Sequence, residues 1–197
     1  MSCGQLYLVS GPSGSGKTTL CQRLAAEGLA YYSISCTTRA PREGEANGEH
    51  YHFLSEDEFN RRVAAGDFLE HARVHNNQYG TLTSEVTRFL EAGKDVVMDI
   101  DIQGAAIVRE NTNPIIQKSL LDLFVMPAND EELESRLRGR GTDPEEVISL
   151  RLKNARAEIK HWPHYTYRLL SSDRETDFHL FKELLLTQRL RTSLQAY

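Results

Sequence analysis

The apolar positions of the chain follow two periods, and their alternation predicts the elements. Leu6-Tyr7-Leu8-Val9 is a short continuous apolar run closed by Ser10 and Gly11, the pattern of a strand buried on both faces of a parallel sheet. Leu20, Leu24 and Ala25 then recur at helical spacing, and Gly28 stands where a left-handed cap ends a helix. Residues 29–36 alternate weakly and predict a second strand. Ser55-Glu56-Asp57-Glu58 reads as a capping box, Ser55 as N-cap and Glu58 reaching back, for a helix to about Gly66. A strand over 68–74 with Glu70 inside it, a turn and return over 75–81, and a helix capped by Thr83 or Ser84 and closed by Gly93 follow. Further on, 95–99 and 120–126 read as buried strands. Asn129 opens a helix to about Gly139, and Asp143-Pro144 opens a longer one with Pro144 at its first position. Residues 167–170 predict the last strand and 178–190 an amphipathic helix. Residues 111–118 carry no usable signal.

Strand and helix alternate along most of this order, which predicts an α/β fold with a doubly wound parallel sheet. The exception lies between residues 30 and 82, where short strands are interrupted by one short helix. That stretch reads as an insert on the sheet domain. The expected organisation is a single domain over 1–197: a core of about 1–34, 83–135 and 152–197, an insert of about 35–82 and a helical lid of about 136–151.

Composition narrows the class. At 197 residues the chain suits one well-buried α/β domain, as a monomer or simple homo-oligomer. A net charge of −5 argues against a dedicated binder of nucleic acid or of an anionic membrane. Cys3, Cys21 and Cys36 lack metal-type spacing and read as reduced thiols, and the seven histidines show no ligand spacing. With no apolar stretch of membrane-spanning length and no signal peptide ahead of the first strand, the expectation is a cytoplasmic protein.

The chemistry begins directly after the first strand, at Gly11-Pro12-Ser13-Gly14-Ser15-Gly16-Lys17-Thr18, followed by Thr19. A polyphosphate needs several backbone N–H groups converging on one small volume, and a loop with little side-chain bulk permits it. The helix starting near Lys17 adds the positive end of its dipole, Lys17 a point charge for the outer phosphates, and Thr18 a hydroxyl for the Mg²⁺ that bridges them. A flexible Gly/Ser linker has no reason to lie between an apolar strand and an amphipathic helix, so this is read as a P-loop. Asp99 ends an apolar strand at the sheet edge where α/β proteins carry ligands, the place of an acid that orients Mg²⁺. Arg39 and Arg42, three apart on a turn-rich loop, can aim two planar forks at one phosphate. Taken alone, that loop reads more simply as a solvated turn, and Glu70 as a surface-facing strand residue.

A multi-part pattern changes that weighting. The P-loop, Ser35-x-x-Thr-Arg39-x-x-Arg42-x-Gly-Glu45-x-Asn-Gly-x-x-Tyr51, Gly80-Thr81, Asp99-Ile-Asp101-x-Gln103-Gly104 and Arg136-x-x-x-Arg140-Gly141 occur in the order of the guanylate kinases, which this sequence resembles over nearly its whole length. The resemblance implies a P-loop core, an insert that binds a nucleoside monophosphate, and ATP and GMP as substrates with Mg²⁺ as cofactor. It implies that Arg39, Arg42, Tyr51 and Tyr79 hold the GMP phosphate and that Ser35, Glu70, Thr81 and Asp101 read guanine. Gly80, Asp99, Gln103 and Gly104 belong to the same substrate-side motifs. An ionised carboxylate such as Glu70 is acceptor-only, so it suits the N1–H and exocyclic amine of guanine and rejects adenine. Arg136, Arg140 and Arg151 are implied to close over the transferring phosphoryl group, with the link 139–142 as the lid hinge. dGMP is an expected second acceptor.

One stretch departs from the family pattern. Where those kinases commonly carry Asn before an acidic pair, beside the adenine, this chain has Ser171-Ser172-Asp173. Two rivals remain open on sequence grounds. One is a catalytically silent interaction module of the same fold, which ATP consumption on adding GMP separates from an enzyme. The other is a P-loop kinase for a different acceptor, which would lack the guanine-reading set.

Overall fold

The computed structural model describes residues 3–74, 76–139 and 144–191. The first half of the chain runs β1 (Leu6–Ser10), α1 (Lys17–Ala26), β2 (Tyr31–Tyr32), β3 (Cys36–Thr37), β4 (His52–Phe53), α2 (Glu56–Ala65), β5 (Phe68–Val74), β6 (Asn77–Leu82) and α3 (Thr83–Glu91). The second half runs β7 (Val96–Asp99), α4 (Ile102–Arg109), α5 (Pro114–Ser119), β8 (Leu120–Pro127), α6 (Asp130–Arg138), α7 (Glu145–Ile159), β9 (Tyr167–Ser171) and α8 (Arg174–Gln188).

The core sheet is parallel throughout, in the order β2-β7-β1-β8-β9. Because successive strand residues face opposite ways, the single run Leu6 to Val9 serves two cores. Leu6 and Leu8 join Val96, Met98 and Phe124 beneath α3, α4 and α5, through Val86, Leu90, Val108 and Ile116. Tyr7 and Val9 join Val97, Leu123 and Val125 beneath α1 and α8, through Leu20, Leu24, Phe178, Phe181 and Leu185. Helices on both faces make the sheet doubly wound, as the alternation predicts. Truncating a fully buried ring such as Phe181 to Ala costs about 3–5 kcal/mol. The chain from β1 crosses to one side of it and the chain from β7 to the other, so the carboxyl ends of β1 and β7 border a switch point.

Residues between 35 and 82 form a second sheet, β4-β3-β6-β5. Its β5–β6 hairpin contains a bulge: Phe68 pairs with Leu82, yet Glu70 pairs with Thr81. Leu82 and Thr81 are consecutive and face opposite ways, so their partners Phe68 and Glu70 do too. Phe68 stacks on Phe59 of α2, ring centroids 4.4 Å apart, and Glu70 turns to the other side, where it is only 9% exposed. Buried Glu85 of α3 joins the two sheets: Tyr31 donates a hydrogen bond to one of its oxygens, and His52 Nε2 lies 3.2 Å from the other.

A third apolar cluster, Leu133, Leu137, Ile148, Leu152 and Ala155, belongs to α6 and α7. The expected lid of 136–151 thus begins inside α6 and ends inside α7, and residues 140–143, with most of the expected hinge, lie outside the described residues.

Several local expectations change. The strand expected over 29–36 is two strands in different sheets, because the chain leaves the core after β2. Ser55 accepts from the Glu58 N–H as expected, but the Glu58 carboxylate accepts from Arg61 and Arg62 instead of reaching back. Leu82 is the N-cap of α3, and neither Thr83 nor Ser84 caps it. Pro144 is the residue before α7 rather than its first. The silent stretch holds α5, capped by Asn113 with Pro114 at the first turn, a start signal without apolar periodicity behind it. α8 begins at Arg174, four residues early, because Asp173 caps it through the Glu175 and Thr176 amides.

Candidate nucleotide-binding site

The P-loop is shaped at two positions that favour glycine, one by a close contact and one by its backbone angle. A Cβ on Gly11 would lie 2.0 Å from the Val125 carbonyl oxygen of β8, so the loop leaves β1 pressed against its neighbour. Gly16 meets no such obstacle but sits at φ 91°, a left-handed value that L side chains resist. It is also the N-cap of α1 and offers no side chain to the helix amides. No side-chain cap among the described residues takes the first-turn N–H groups, which suits an anion site. The Ser15 N–H folds back onto Pro12 O at 3.1 Å and closes the loop. A cavity of about 380 Å³ is lined by Gly11, Ser13, Gly14 and Gly16 to Thr19, and Asp101, expected beside the base, lines it too.

The register of β1 against β7 sets Val9 beside Asp99 and so brings the strand-end acid to the loop. Lys17 Nζ lies 3.9 Å from Asp99 Oδ1, and the Thr18 hydroxyl donates to Asp99 Oδ2. Thr18, which lines the cavity, and Asp99 beside it thus present two hard oxygen donors next to the loop. Among the described residues there is no cluster of three or more His, Cys, Asp or Glu able to hold a metal alone. Mg²⁺ does not need one, since it keeps several waters and takes one or two protein oxygens plus substrate phosphates.

The base-side residues converge from four segments. Thr81 Oγ1 donates to Glu70 Oε1 at 2.8 Å, and Ser35 Oγ lies 3.2 Å from Thr81 Oγ1. A Cβ on Gly104 would stand 2.7 Å from Ile100 Cγ1 and 3.3 Å from Glu70 Oε2, so the first turn of α4 comes this close to Ile100 and Glu70 because that residue has no side chain. Asp101 is the N-cap of α4, accepting from the Gly104 N–H at 2.7 Å. Burial raises the pKa of Glu70 above the ordinary carboxylate range; the Thr81 hydrogen bond opposes this and the negative charge of Asp101 adds to it. The simple surface reading of Glu70 is therefore wrong, and the hairpin bulge is the reason. Gly80 is buried in β6 with no room for a Cβ beside His71 and Phe68, and Gln103 is exposed on α4.

A cationic and aromatic group lies nearby. Arg39 stands over the Tyr51 ring, 5.4 Å to its centroid, and the Tyr51 and Tyr79 rings meet edge to face at 6.0 Å. Arg39 Nη2 donates to Glu45 at 2.8 Å, and the same carboxylate accepts from the Arg42 N–H at 2.7 Å. These bonds hold Glu45 at a pKa of about 2, Arg39 being the larger cause. Glu45 thus orients the loop that carries both arginines, a role that sequence reasoning left unassigned. The Arg42 side chain itself is exposed.

The arginines of the helical pair divide. Arg136 is bound to protein: Nη1 donates to Ser171 Oγ at 2.8 Å and Ser15 O at 3.2 Å, and Nη2 to Ser172 O at 3.0 Å and to Glu132. It ties the P-loop to the β9–α8 turn, at the edge of a cavity of about 880 Å³ that also touches Ser171, Ser172 and Asp173. Both serines are anchored by Asp177, through the Ser171 hydroxyl and the Ser172 amide. Arg151 is half-buried on α7, and Arg140 lies outside the described residues. Glu158, also on α7, lines the phosphate cavity and carried no motif signal.

Comparison with known proteins agrees with this geometry. Residues 3–188 match the family model described as guanylate kinase. The chain is 43% identical to the guanylate kinase of Salmonella paratyphi A over 198 residues, spanning 99% of this chain and 93% of that one. It is 42% identical to the guanylate kinase of Escherichia coli (strain K12), with the same coverage. The crystal structure of guanylate kinase from Anaplasma phagocytophilum superposes with a TM-score of 0.75 at 30% identity, covering 100% of this chain and 92% of that one. A phosphate loop, a carboxylate buried in an inserted sheet and this degree of likeness along the entire length have one common reading: the chain belongs to the guanylate kinase family, and it is a phosphotransferase.

Proposed function

We propose that this kinase transfers the γ-phosphoryl group of ATP to GMP, giving ADP and GDP, with dGMP as a second acceptor, in purine nucleotide metabolism and GMP recycling. The observation that carries the reading is the chain of buried Glu70 and Thr81 with half-buried Ser35. Ionised Glu70 accepts from N1–H and the exocyclic amine of guanine, while the Ser35 and Thr81 hydroxyls turn from their present partners, Thr81 from Glu70, to donate to O6. Adenine would set lone pairs against the carboxylate and leave buried groups unpaired, which costs several powers of ten. Arg39, with Arg42, Tyr51 and Tyr79, takes the GMP phosphate once that dianion competes with Glu45 for the guanidinium. None of these groups needs the ribose 2′-hydroxyl, hence dGMP.

On the donor side the outward amides of the loop and Lys17 bind the β- and γ-phosphates, and the 880 Å³ cavity beside Ser171 and Ser172 takes adenosine. The Thr18 and Asp99 oxygens suit Mg²⁺, which when bound neutralises charge on the donor phosphates. The GMP oxygen attacks the γ-phosphorus in line and the ADP oxygen leaves, so positioning and charge neutralisation carry the rate. Arg140 and Arg151 are assigned to the transferring group; Arg136 joins them only by exchanging its present protein partners. Residues 35–82 act as the acceptor-binding insert and Asp101 as a second acceptor for the guanine amine. The three thiols, free among the described residues, suit a cytoplasmic location. The experiment is a coupled ADP-release assay against GMP, dGMP, AMP, CMP and UMP. GMP is expected to turn over at least 100-fold better than AMP by kcat/KM. Equal rates for GMP and AMP overturn the base assignment, and no ADP release with any acceptor overturns the reaction.

A further inference from the structure

We propose that Asp177 is a positioning residue for the phosphate donor: through Ser171 and Arg136 it holds the Ser15 carbonyl, and with it the aim of a P-loop amide. The proposal rests on the reading that the P-loop takes the phosphates of ATP. Asp177 lies in the first turn of α8 and is only 5% exposed. The helix does not need it there, because Asp173 already caps α8 and exposed Glu175 gives the first turn a negative charge. A carboxylate is buried at a cost unless hydrogen bonds offset it, and here they come from the β9–α8 turn. Oδ2 accepts from the Ser171 hydroxyl, and Oδ1 from the Ser172 N–H at 2.8 Å and, more loosely, from the Ser172 hydroxyl at 3.4 Å.

A hydroxyl carries one proton. Ser171 donates it to Asp177, so the oxygen is left to accept, and Arg136 Nη1 donates to it at 2.8 Å. The same nitrogen donates to Ser15 O at 3.2 Å, and Nη2 donates to Ser172 O at 3.0 Å and to Glu132. Two of the oxygens that fix the guanidinium therefore belong to residues that Asp177 holds. The peptide between Ser15 and Gly16 is planar and trans, so fixing the Ser15 carbonyl also fixes the direction of the Gly16 N–H on the opposite side of that plane. Gly16 lines the 380 Å³ cavity of the loop. An amide turned away from a phosphate oxygen is a weaker donor. A carboxylate near the end of the chain thus sets the aim of a loop at its start.

Asp177→Asn leaves one acceptor where two are needed, and Ser171→Ala removes the relay hydroxyl. In steady-state assays of the full chain each variant is expected to raise the KM for ATP about tenfold, while the KM for GMP stays within about twofold of the parent. Calorimetric titration with MgATP and with inorganic pyrophosphate is expected to show the same loss for both ligands, because the defect lies in the loop and not at the base. The double variant is expected to be no more than about twofold worse than either single one, since both cut the same link. A merely structural role would lower the melting temperature without separating the two substrates. Unchanged affinity for ATP in both single variants, losses that multiply in the double variant, or a KM for GMP that rises in step with that for ATP overturns the proposal. A parent that binds neither ATP nor pyrophosphate overturns the donor reading, and the proposal with it.

Discussion

The phosphate loop and the pocket behind Glu70 are built on opposite plans. The loop is contiguous, uses backbone donors, and relies on side chains mainly for one ammonium and one hydroxyl. The Glu70 pocket draws Ser35, Glu70, Thr81 and Gly104 from β-sheet and helix segments far apart in the chain and works through side chains. A backbone site tolerates many substitutions but depends on the conformations that glycine permits. A side-chain site tolerates few, but each loss is confined to the ligand it reads. Under the proposed function, the first plan serves general phosphate binding and the second discrimination between bases.

Five substitutions break or sharpen this contrast. Lys17→Ala removes the one charge the loop supplies, and kcat is expected to fall about 1,000-fold or more with the melting temperature nearly unchanged; single-turnover rates check it. Gly11→Ala drives a Cβ to 2.0 Å from the Val125 oxygen and is expected to cost about 3 kcal/mol of stability. Gly16→Ala, in open space at φ 91°, is expected to cost only about 1–2 kcal/mol. Denaturant melts that rank the pair the other way would refute a loop shaped by its contact with β8.

Glu70→Gln is expected to raise the KM for GMP about 100-fold and to leave that for ATP alone. The same residue makes GMP binding depend on pH. Its folded pKa is raised, so in the free enzyme it is most favourable when protonated, and that contribution to stability is lost as pH rises from the ordinary value of about 4.3 through the folded pKa. Guanine requires the ionised form. GMP affinity therefore weakens on acidification, beginning above the usual carboxylate range, and this component should vanish in Glu70→Gln. Equal pH profiles for the two proteins would exclude Glu70 as the titrating group. Thr81→Val, the mildest change, removes one hydroxyl from the chain and is expected to weaken GMP about tenfold; competition titrations with dGMP should show the same loss.

How much of this was legible before the fold was known depends on distance along the chain. The two-sided run Leu6 to Val9 and the glycines after it announced a doubly wound parallel sheet with a phosphate loop, because strand burial and loop geometry are written in neighbouring residues. Arg39 and Arg42 announced only an ambiguous turn. Glu70 alone read as a surface residue, because an ionisable side chain inside a strand ordinarily faces solvent, and the bulge that turns it away from Phe68 has no sequence signature. α5 passed unseen because six residues are too few to display a period.

By itself, then, the amino-acid order determined whatever depends on short range: strand and helix periods, the P-loop, the helix starts at Ser55 and Asn129, and a family pattern spread along the whole chain. Only the tertiary structure decided that Glu70 turns inward, that Arg136 is tied to the back of the P-loop, and that Glu158 returns from α7 to the mouth of the loop. The physical reason is that a side chain's direction follows from sheet register and helix placement, which are fixed by packing among residues that no local window contains.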